Sequence, residues 1–253
     1  MPDPLEPIPD PLEPTGEFLE AAAGYGITFE GDDLANLGRY LAILLETSAK
    51  FNLTGITDPA QAWMKHIFDS LTLLPVLAQV EGAGGSAPRM IDVGTGGGVP
   101  GIPLAICMPG VSVTLAEATG KKCEFLRQAA AALGLTNVTV VQQRAELLGR
   151  DPAHREMYDA AVARAVGPLT VLAELLVPLV RVRGLILAIK GAKAEQETIE
   201  AIPALRLLGG VHEQTILTPT GRIVVMSKGM RTPREYPRGD GVPGSKPLGR
   251  AER

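Results

Sequence analysis

Apolar residues recur at helical spacing between Glu17 and Leu77, in two stripes: Leu34, Leu37, Leu41, Leu44 and Leu45, then Trp63, Ile67, Ser70, Leu71 and Leu74. A small helical region is predicted there. The Gly-rich segment Glu81 to Pro88 reads as a connector, and beyond it the pattern changes. Short β-rich runs predict strands at Met90–Val93, Ser112–Ala116, Val138–Gln142, Ala160–Ala163 and Leu185–Lys190. Helical runs alternate with them, notably Ile102–Met108, Lys121–Leu133 with Gly134 as its C-terminal cap, and Leu169–Val180. Alternation of this kind predicts an α/β fold with a mostly parallel sheet covered by helices on both faces, because right-handed crossovers put helices there. The last two strand-like runs, Glu213–Leu217 and Arg222–Ser227, are separated only by T-P-T-G and should close the sheet as an antiparallel hairpin, its sixth and seventh strands.

Composition narrows the picture. The longest nearly uncharged apolar stretch, Pro168 to Val180, contains Glu174 and is well short of a membrane span, so no membrane partner is expected. No basic region followed by an apolar run opens the chain, which places it in the cytoplasm by expectation. Cys107 and Cys123 have no metal-ligand spacing, so no metal is expected. The net charge of -4 conceals an asymmetry: residues 1–33 carry nine acids and no Lys or Arg, leaving 24 basic against 19 acidic residues in the remainder. The body is basic, and a basic body suits a polyphosphate partner. Four units are expected: a disordered acidic, Pro-rich leader (1–14), a helical region (15–88), an α/β domain (89–230) and a basic Pro/Gly-rich tail (231–253).

The segment M-I-D-V-G-T-G-G-G-V-P-G-I-P, Met90 to Pro103, carries the clearest chemistry. A strand ends at Val93, glycines turn the chain, and a helix comes next; ligands of open α/β sheets bind at such strand ends. Glu117, at the end of the next strand and 23 residues after Gly94, suits a carboxylate that accepts from ribose hydroxyls. A dinucleotide and S-adenosylmethionine both fit a glycine turn with a ribose acid. The match of Gly96–Gly101 to G-x-G-x-x-G starts late, however, and Pro100 and Pro103 remove N–H donors that would cradle a pyrophosphate. Counted from the strand end the turn reads D-V-G-x-G-x-G, the methyltransferase form, in which Gly94, Gly96 and Gly98 admit the cofactor. Ala145 and Glu146 come after the third strand, where an adenine would lie, although an acid supporting a helix N-terminus is the plainer account of Glu146. Arg164 and Lys190, after the fourth and fifth strands, are the candidate substrate-positioning groups. His66, beside an apolar stripe, reads as a packing residue.

Taken together, F-N-L-T (Phe51–Thr54), K-H-I-x-D-S-L (Lys65–Leu71), D-V-G-T-G-G-G-V-P-G-I-P (Asp92–Pro103), R-A-E (Arg144–Glu146), A-R-A (Ala163–Ala165), K-G (Lys190–Gly191) and Y-P-R-x-x-G-x-P (Tyr236–Pro243) resemble the small-subunit ribosomal RNA methyltransferase G family (RsmG, or GidB). The resemblance runs from about Phe51 to Leu248. It implies a Rossmann-like class I fold with a seven-stranded sheet and transfer of a methyl group from S-adenosylmethionine to N7 of one guanine in 16S ribosomal RNA, free or within the small ribosomal subunit. Carried across, the cofactor contacts would be Gly94, Val99, Glu117, Ala118, Thr119, Ala145, Glu146 and Arg164. Val99 stands where Phe is frequent and Glu117 where Asp is. Arg234, Arg238 and Lys246, in a tail expected to run extended, are the candidate phosphate contacts. A monomer is expected. A small-molecule methyltransferase would have no evident use for the basic tail, and a ribosome-assembly factor without catalysis would tolerate a broken turn; here the turn is intact.

Overall fold

The computed structural model describes residues 9–249. Seven strands form one sheet: β1 (Arg89–Val93), β2 (Ser112–Glu117), β3 (Val138–Gln142), β4 (Tyr158–Arg164), β5 (Val180–Lys190), β6 (Gly210–Thr218) and β7 (Gly221–Lys228), in the order β3-β2-β1-β4-β5-β7-β6. The pairs from β3 through β5 are parallel, while β7 runs antiparallel to both its neighbours. The sheet is therefore the expected one, with the T-P-T-G turn closing the hairpin. Strand order reverses between β1 and β4, so a crevice opens beyond their carboxyl ends, between Val93 and Arg164.

Both faces of the sheet are covered because consecutive strand residues point to opposite sides. On one face, Met90, Val113, Leu115, Val162, Leu187 and Ile223 join one core with the amino-terminal helices α1 (Gly16–Gly24) and α2 (Asp33–Lys50). Leu37, Leu41 and Leu44 of the first predicted stripe are fully buried in it. The second stripe occupies α3 (Pro59–Ala62), a π-helical stretch at Trp63–Phe68, and α4 (Asp69–Leu71), with α5 (Leu74–Leu77) after them. Between the strands on this side lie α6 (Gly101–Cys107) and α7 (Gly120–Ala132), with Gly134 left-handed just past the α7 cap. The amino-terminal helices and the sheet thus share one hydrophobic core. On the other face, Ile91, Val93, Ala161, Ala163, Ile186 and Val224 pack with α8 (Ala145–Leu148), α9 (Leu169–Leu176) and α10 (Ala194–Leu208).

Three segments differ from the sequence reading. The helix expected over Leu169–Val180 stops at Leu176, because Pro178 sits in a 3-10 turn and has no N–H to donate; β5 then starts at Val180 instead of Leu185. The helix α10, with Pro203 inside it, joins β5 to β6 where no helix was predicted. Of the leader, residues 1–8 lie outside the described residues, but 9–14 run along α2, with Leu12 N–H donating to Gly38 O at 3.2 Å and the Leu12 side chain against the core. Leu12 supplies the apolar contact that composition alone hides.

Candidate active site

The turn after β1 is pinned from below by a buried carboxylate. Asp92 Oδ2 accepts from Thr95 Oγ1 at 2.5 Å and from Gly101 N–H at 2.8 Å, which fixes both ends of the turn, while Oδ1 has no hydrogen-bond partner. Burial pushes the Asp92 carboxyl up to about 6. From above, the buried Tyr40 of α2 donates to Gly97 O at 2.7 Å.

The three glycines named from the sequence turn out to do different work. Gly94 (φ 69°) lies so close to the β4–α9 loop that a Cβ would come 2.8 Å from Val166. A Cβ on Gly96 (φ 59°) would meet nothing nearer than Gly94 O at 4.0 Å, so that position faces open space. Gly98 departs from expectation: its φ is 97° and a Cβ there would strike Ile102 at 2.5 Å and Leu126 at 3.1 Å, so it serves packing of the turn on α6 and α7 and does not face the cleft. A cavity of about 230 Å³ stands over the turn, walled by Gly94, Thr95, Gly96, Gly97 and Val99 and, opposite them, by Thr54, His66, Arg164 and Ala165.

Glu117 closes one side of the turn. It is 8% exposed, and its oxygens accept from Gly96 N–H (Oε2, 3.2 Å) and Thr119 N–H (Oε1, 2.8 Å), which fixes the carboxylate and leaves lone pairs on both oxygens. Ala118 and Thr119 are exposed beside it. Ala145 opens α8 at the neighbouring strand end. Glu146 does not stand open to a base as expected. It is buried, and its Oε1 accepts from Gly241 N–H at 3.0 Å, so it holds the C-terminal segment.

Arg164, at the end of β4, ties the sheet to the helical region. Its guanidinium donates to Lys65 O and to His66 Nδ1 (3.0 Å), and lies 3.6 Å from Asp69 Oδ2. Since Arg has only donors, His66 Nδ1 accepts, the proton sits on Nε2, and Nε2–H donates to Thr54 Oγ1 at 2.8 Å. Burial, reinforced by Arg164, holds His66 at about 4, so it is neutral at pH 7. Asp69 in turn accepts from Thr220 Oγ1 in the β6–β7 turn, and burial raises its carboxyl from the usual value. Lys190, at the end of β5, donates to Gly167 O (2.8 Å) and Glu197 Oε2 (2.6 Å). A second cavity, of about 520 Å³, is walled by these groups: Lys65, Asp69, Lys190, Lys193, Glu197 and Thr220. His66, Arg164 and Ala165 line both cavities, so the two chambers adjoin. Among the described residues no group of His, Cys, Asp and Glu is arranged to hold a metal.

The sequence reading placed Arg164 and Lys190 at this site but missed the functional setting of His66 and the presence of Asp69, Thr220 and Glu197. The π-helical turn that carries His66 has no reliable sequence signature, and such turns favour functional positions. Asp69 and Thr220 are 151 residues apart and meet only in the fold.

The tail also departs from expectation at Arg238. It does not stand free: Nε and Nη2 grip the carboxylate of Glu174, which is fully buried (2.9 and 2.6 Å), and Nη2 also donates to Lys246 O. Arg155 donates to the carbonyls of Thr232, Pro233 and Tyr236, and Arg150 to that of Pro237, so residues 232–241 are strapped across α8 and α9 up to the short helix α11 (Val242–Ser245). Composition suggested an extended run; backbone carbonyls left without strand or helix partners take side-chain donors instead. Arg234 and Lys246 are exposed.

A parallel sheet in this strand order, with a glycine turn after its first strand and a buried acid ending its second, defines the Rossmann-like, class I S-adenosylmethionine-dependent methyltransferases. The fold is shared with a solved protein of Methanococcus maripaludis at a TM-score of 0.50 and 18% identity, over 65% of this chain and 86% of that one. The chain belongs to the rRNA small subunit methyltransferase G family, whose model matches residues 33–223. It is 47% identical to the ribosomal RNA small subunit methyltransferase G of Sorangium cellulosum, over 87% of this chain and 90% of that protein. Against the protein of the same name from Pelotomaculum thermopropionicum it is 43% identical, over 90% and 96%.

Proposed function

We propose that this enzyme transfers a methyl group from S-adenosylmethionine to N7 of a guanine in 16S ribosomal RNA. The observation that carries the reading is the pair of adjoining cavities: the glycine-turn chamber shares Arg164, His66 and Ala165 with a larger, cation-bearing chamber in the volume range of ligand pockets. The cofactor fits the residues present. Gly96 lines the chamber and a Cβ there would meet nothing nearer than 4.0 Å, and the Glu117 carboxylate is already oriented, with lone pairs left for ribose hydroxyls. Gly94, Gly96 and Val99 would border the methionine and ribose, with Ala118, Thr119 and Ala145 flanking the adenosine. When bound, the sulfonium supplies an activated methyl group.

Little acid–base work falls to the protein, because guanine N7 presents an in-plane lone pair and no proton has to leave it first. His66 fits this economy. It is neutral, its Nδ1 is engaged by Arg164, and its Nε2–H by Thr54, so it orients the Arg164 guanidinium where the chambers meet instead of moving a proton. Rate enhancement then comes chiefly from holding base and methyl donor in line, which contributes about 7–11 kcal/mol where a bimolecular step becomes effectively unimolecular. The substrate base must be unstacked to enter, as in most sequence-specific RNA recognition. The test is incubation of the protein with labelled S-adenosylmethionine and undermethylated 16S RNA or small subunits, with the modified nucleoside identified by mass spectrometry. Label in 7-methylguanosine is expected; label in small molecules but never in RNA would overturn the reading.

A further inference from the structure

Glu197 lines the second cavity and is absent from the first. If N7 is to receive a methyl group from the glycine-turn chamber, the edge of guanine that carries N7 and O6 must face the shared wall at Arg164 and Ala165. The opposite edge, with the N1–H and N2–H2 donors, then faces residues that line the second cavity alone. Two of these are carboxylates. Asp69 is paired with Arg164 of the shared wall, 3.6 Å from its Oδ2, and accepts from Thr220 at Oδ1, so it stands beside the wall that N7 faces. Glu197 is different. Its Oε2 is clamped by Leu169 N–H at 2.9 Å and by Lys190 Nζ at 2.6 Å, which fixes the plane of the carboxylate, and Oε1 remains as an acceptor on a side chain 22% exposed at the cavity wall.

We propose that Glu197 is the specificity-determining residue for guanine, accepting hydrogen bonds from N1–H and N2–H2 of the base while Lys190 and the α9 N-terminus hold its carboxylate in register. The inference rests on the proposed function. Adenine in the same pose is rejected at both ends: its N1 is a bare acceptor against a carboxylate, and its exocyclic amine, beside N7, meets the donors of Arg164. The same arrangement favours the reaction itself. As the N7 lone pair forms the bond to the methyl group and the methyl–sulfur electron pair stays with sulfur, the purine gains the positive charge, and an anion at its far edge interacts more strongly with that cation than with the neutral base.

The test compares RNA substrates that carry guanosine, inosine or adenosine at the methylated position. Inosine keeps N7, O6 and N1–H and lacks only the N2 amine, so it removes one of the two bonds to Glu197. For the wild-type protein kcat/KM should fall about tenfold with inosine, the usual effect of losing a hydrogen bond to a charged acceptor, and methylation of adenosine should be lost. Glu197→Ala should lower kcat/KM on guanosine and bring guanosine and inosine to equality, with S-adenosylmethionine affinity by calorimetry unchanged, since Glu197 is absent from the first chamber. Equal rates on guanosine and inosine with the wild-type protein would overturn the proposal whether or not the variant folds, and so would a Glu197→Ala enzyme that retained the tenfold preference. A wild-type protein that methylates none of these RNAs overturns the functional reading as well, whereas methylated guanosine without discrimination overturns the Glu197 assignment alone.

Discussion

At the end of β2 the Glu117 carboxylate already spans two backbone N–H groups, Gly96 and Thr119, so a bound ribose finds an acceptor whose orientation entropy has been spent in folding. Glu117→Ala should weaken S-adenosylmethionine binding by about 1–3 kcal/mol, the range for leaving buried hydroxyls without a charged partner. Titration calorimetry checks it, and an unchanged affinity would remove Glu117 as ribose ligand. His66 gives a second residue-level expectation. Its folded pKa, about 4, lies below the unfolded value near 6.5, so between these limits the unfolded chain binds a proton that the folded one refuses. The stability it contributes is complete above pH 6.5 and is lost as the pH falls to 4. Asp92 works in the opposite sense over nearly the same range, because its carboxyl is raised to about 6 and the folded state gains the proton there. The whole-protein curve therefore conceals both. The difference between wild type and His66→Gln isolates the histidine: from pH 7 to pH 4 the wild type should lose about 3 kcal/mol relative to the variant, read from denaturant midpoints. A difference independent of pH would show that His66 titrates alike in the folded and unfolded chains.

The glycine turn shows how one element divides its labour between neighbouring positions. Gly96 lines the first chamber and a Cβ there meets nothing nearer than 4.0 Å, so Gly96→Val should abolish S-adenosylmethionine binding and, although its φ of 59° strains a branched residue, should cost less stability than Gly98→Val. Gly98→Val drives its Cβ into Ile102 and Leu126 at a left-handed φ, and should destabilise the whole protein, lowering its melting temperature before any effect on cofactor can be isolated. Calorimetry and thermal melts on the two variants separate these outcomes. A Gly98→Val protein as stable as wild type but blind to cofactor would return Gly98 to the cleft. The sequence made all three glycines look alike because the motif records only spacing; which face each presents depends on where α6, α7 and the β4–α9 loop come to rest.

At the scale of the molecule, the tail carries one expectation about stability and one about RNA binding. Arg238→Ala leaves Glu174 buried without its cation and should cost about 3 kcal/mol in unfolding free energy, the lower part of the range for a broken buried pair, since Arg238 itself is partly exposed. Neutralising Arg234 and Lys246, which are exposed, should leave stability unchanged. Each lost phosphate contact should reduce the slope of log affinity for RNA against log salt by about one unit, with cofactor affinity unaltered. A double variant with unaltered salt dependence would place the RNA grip elsewhere on the basic body.

Much of this architecture was legible in one dimension. Period-2 and period-3.6 patterns located β1 to β4 to within two residues at either end, and the alternation of strand and helix fixed a parallel sheet whose carboxyl ends had to carry Gly94, Glu117, Arg164 and Lys190. Those features are local, since backbone geometry and the hydrophobic period act over a few residues. An acid inside the apolar run 168–180 was visible as well, but the side chain that would neutralise it was not: Arg238 is 64 residues away. The helix α10 escaped because Pro203 argues locally against a helix that tertiary burial of Ala201, Ala204 and Leu205 sustains. What only the folded chain decided is the second chamber. Asp69, Arg164, Lys190, Glu197 and Thr220 come from five separate elements, and no short-range rule relates them. Their meeting is set by which strands pair, where the amino-terminal helices lie on one face of the sheet and where α10 lies on the other, and those are decided by the burial of the two cores.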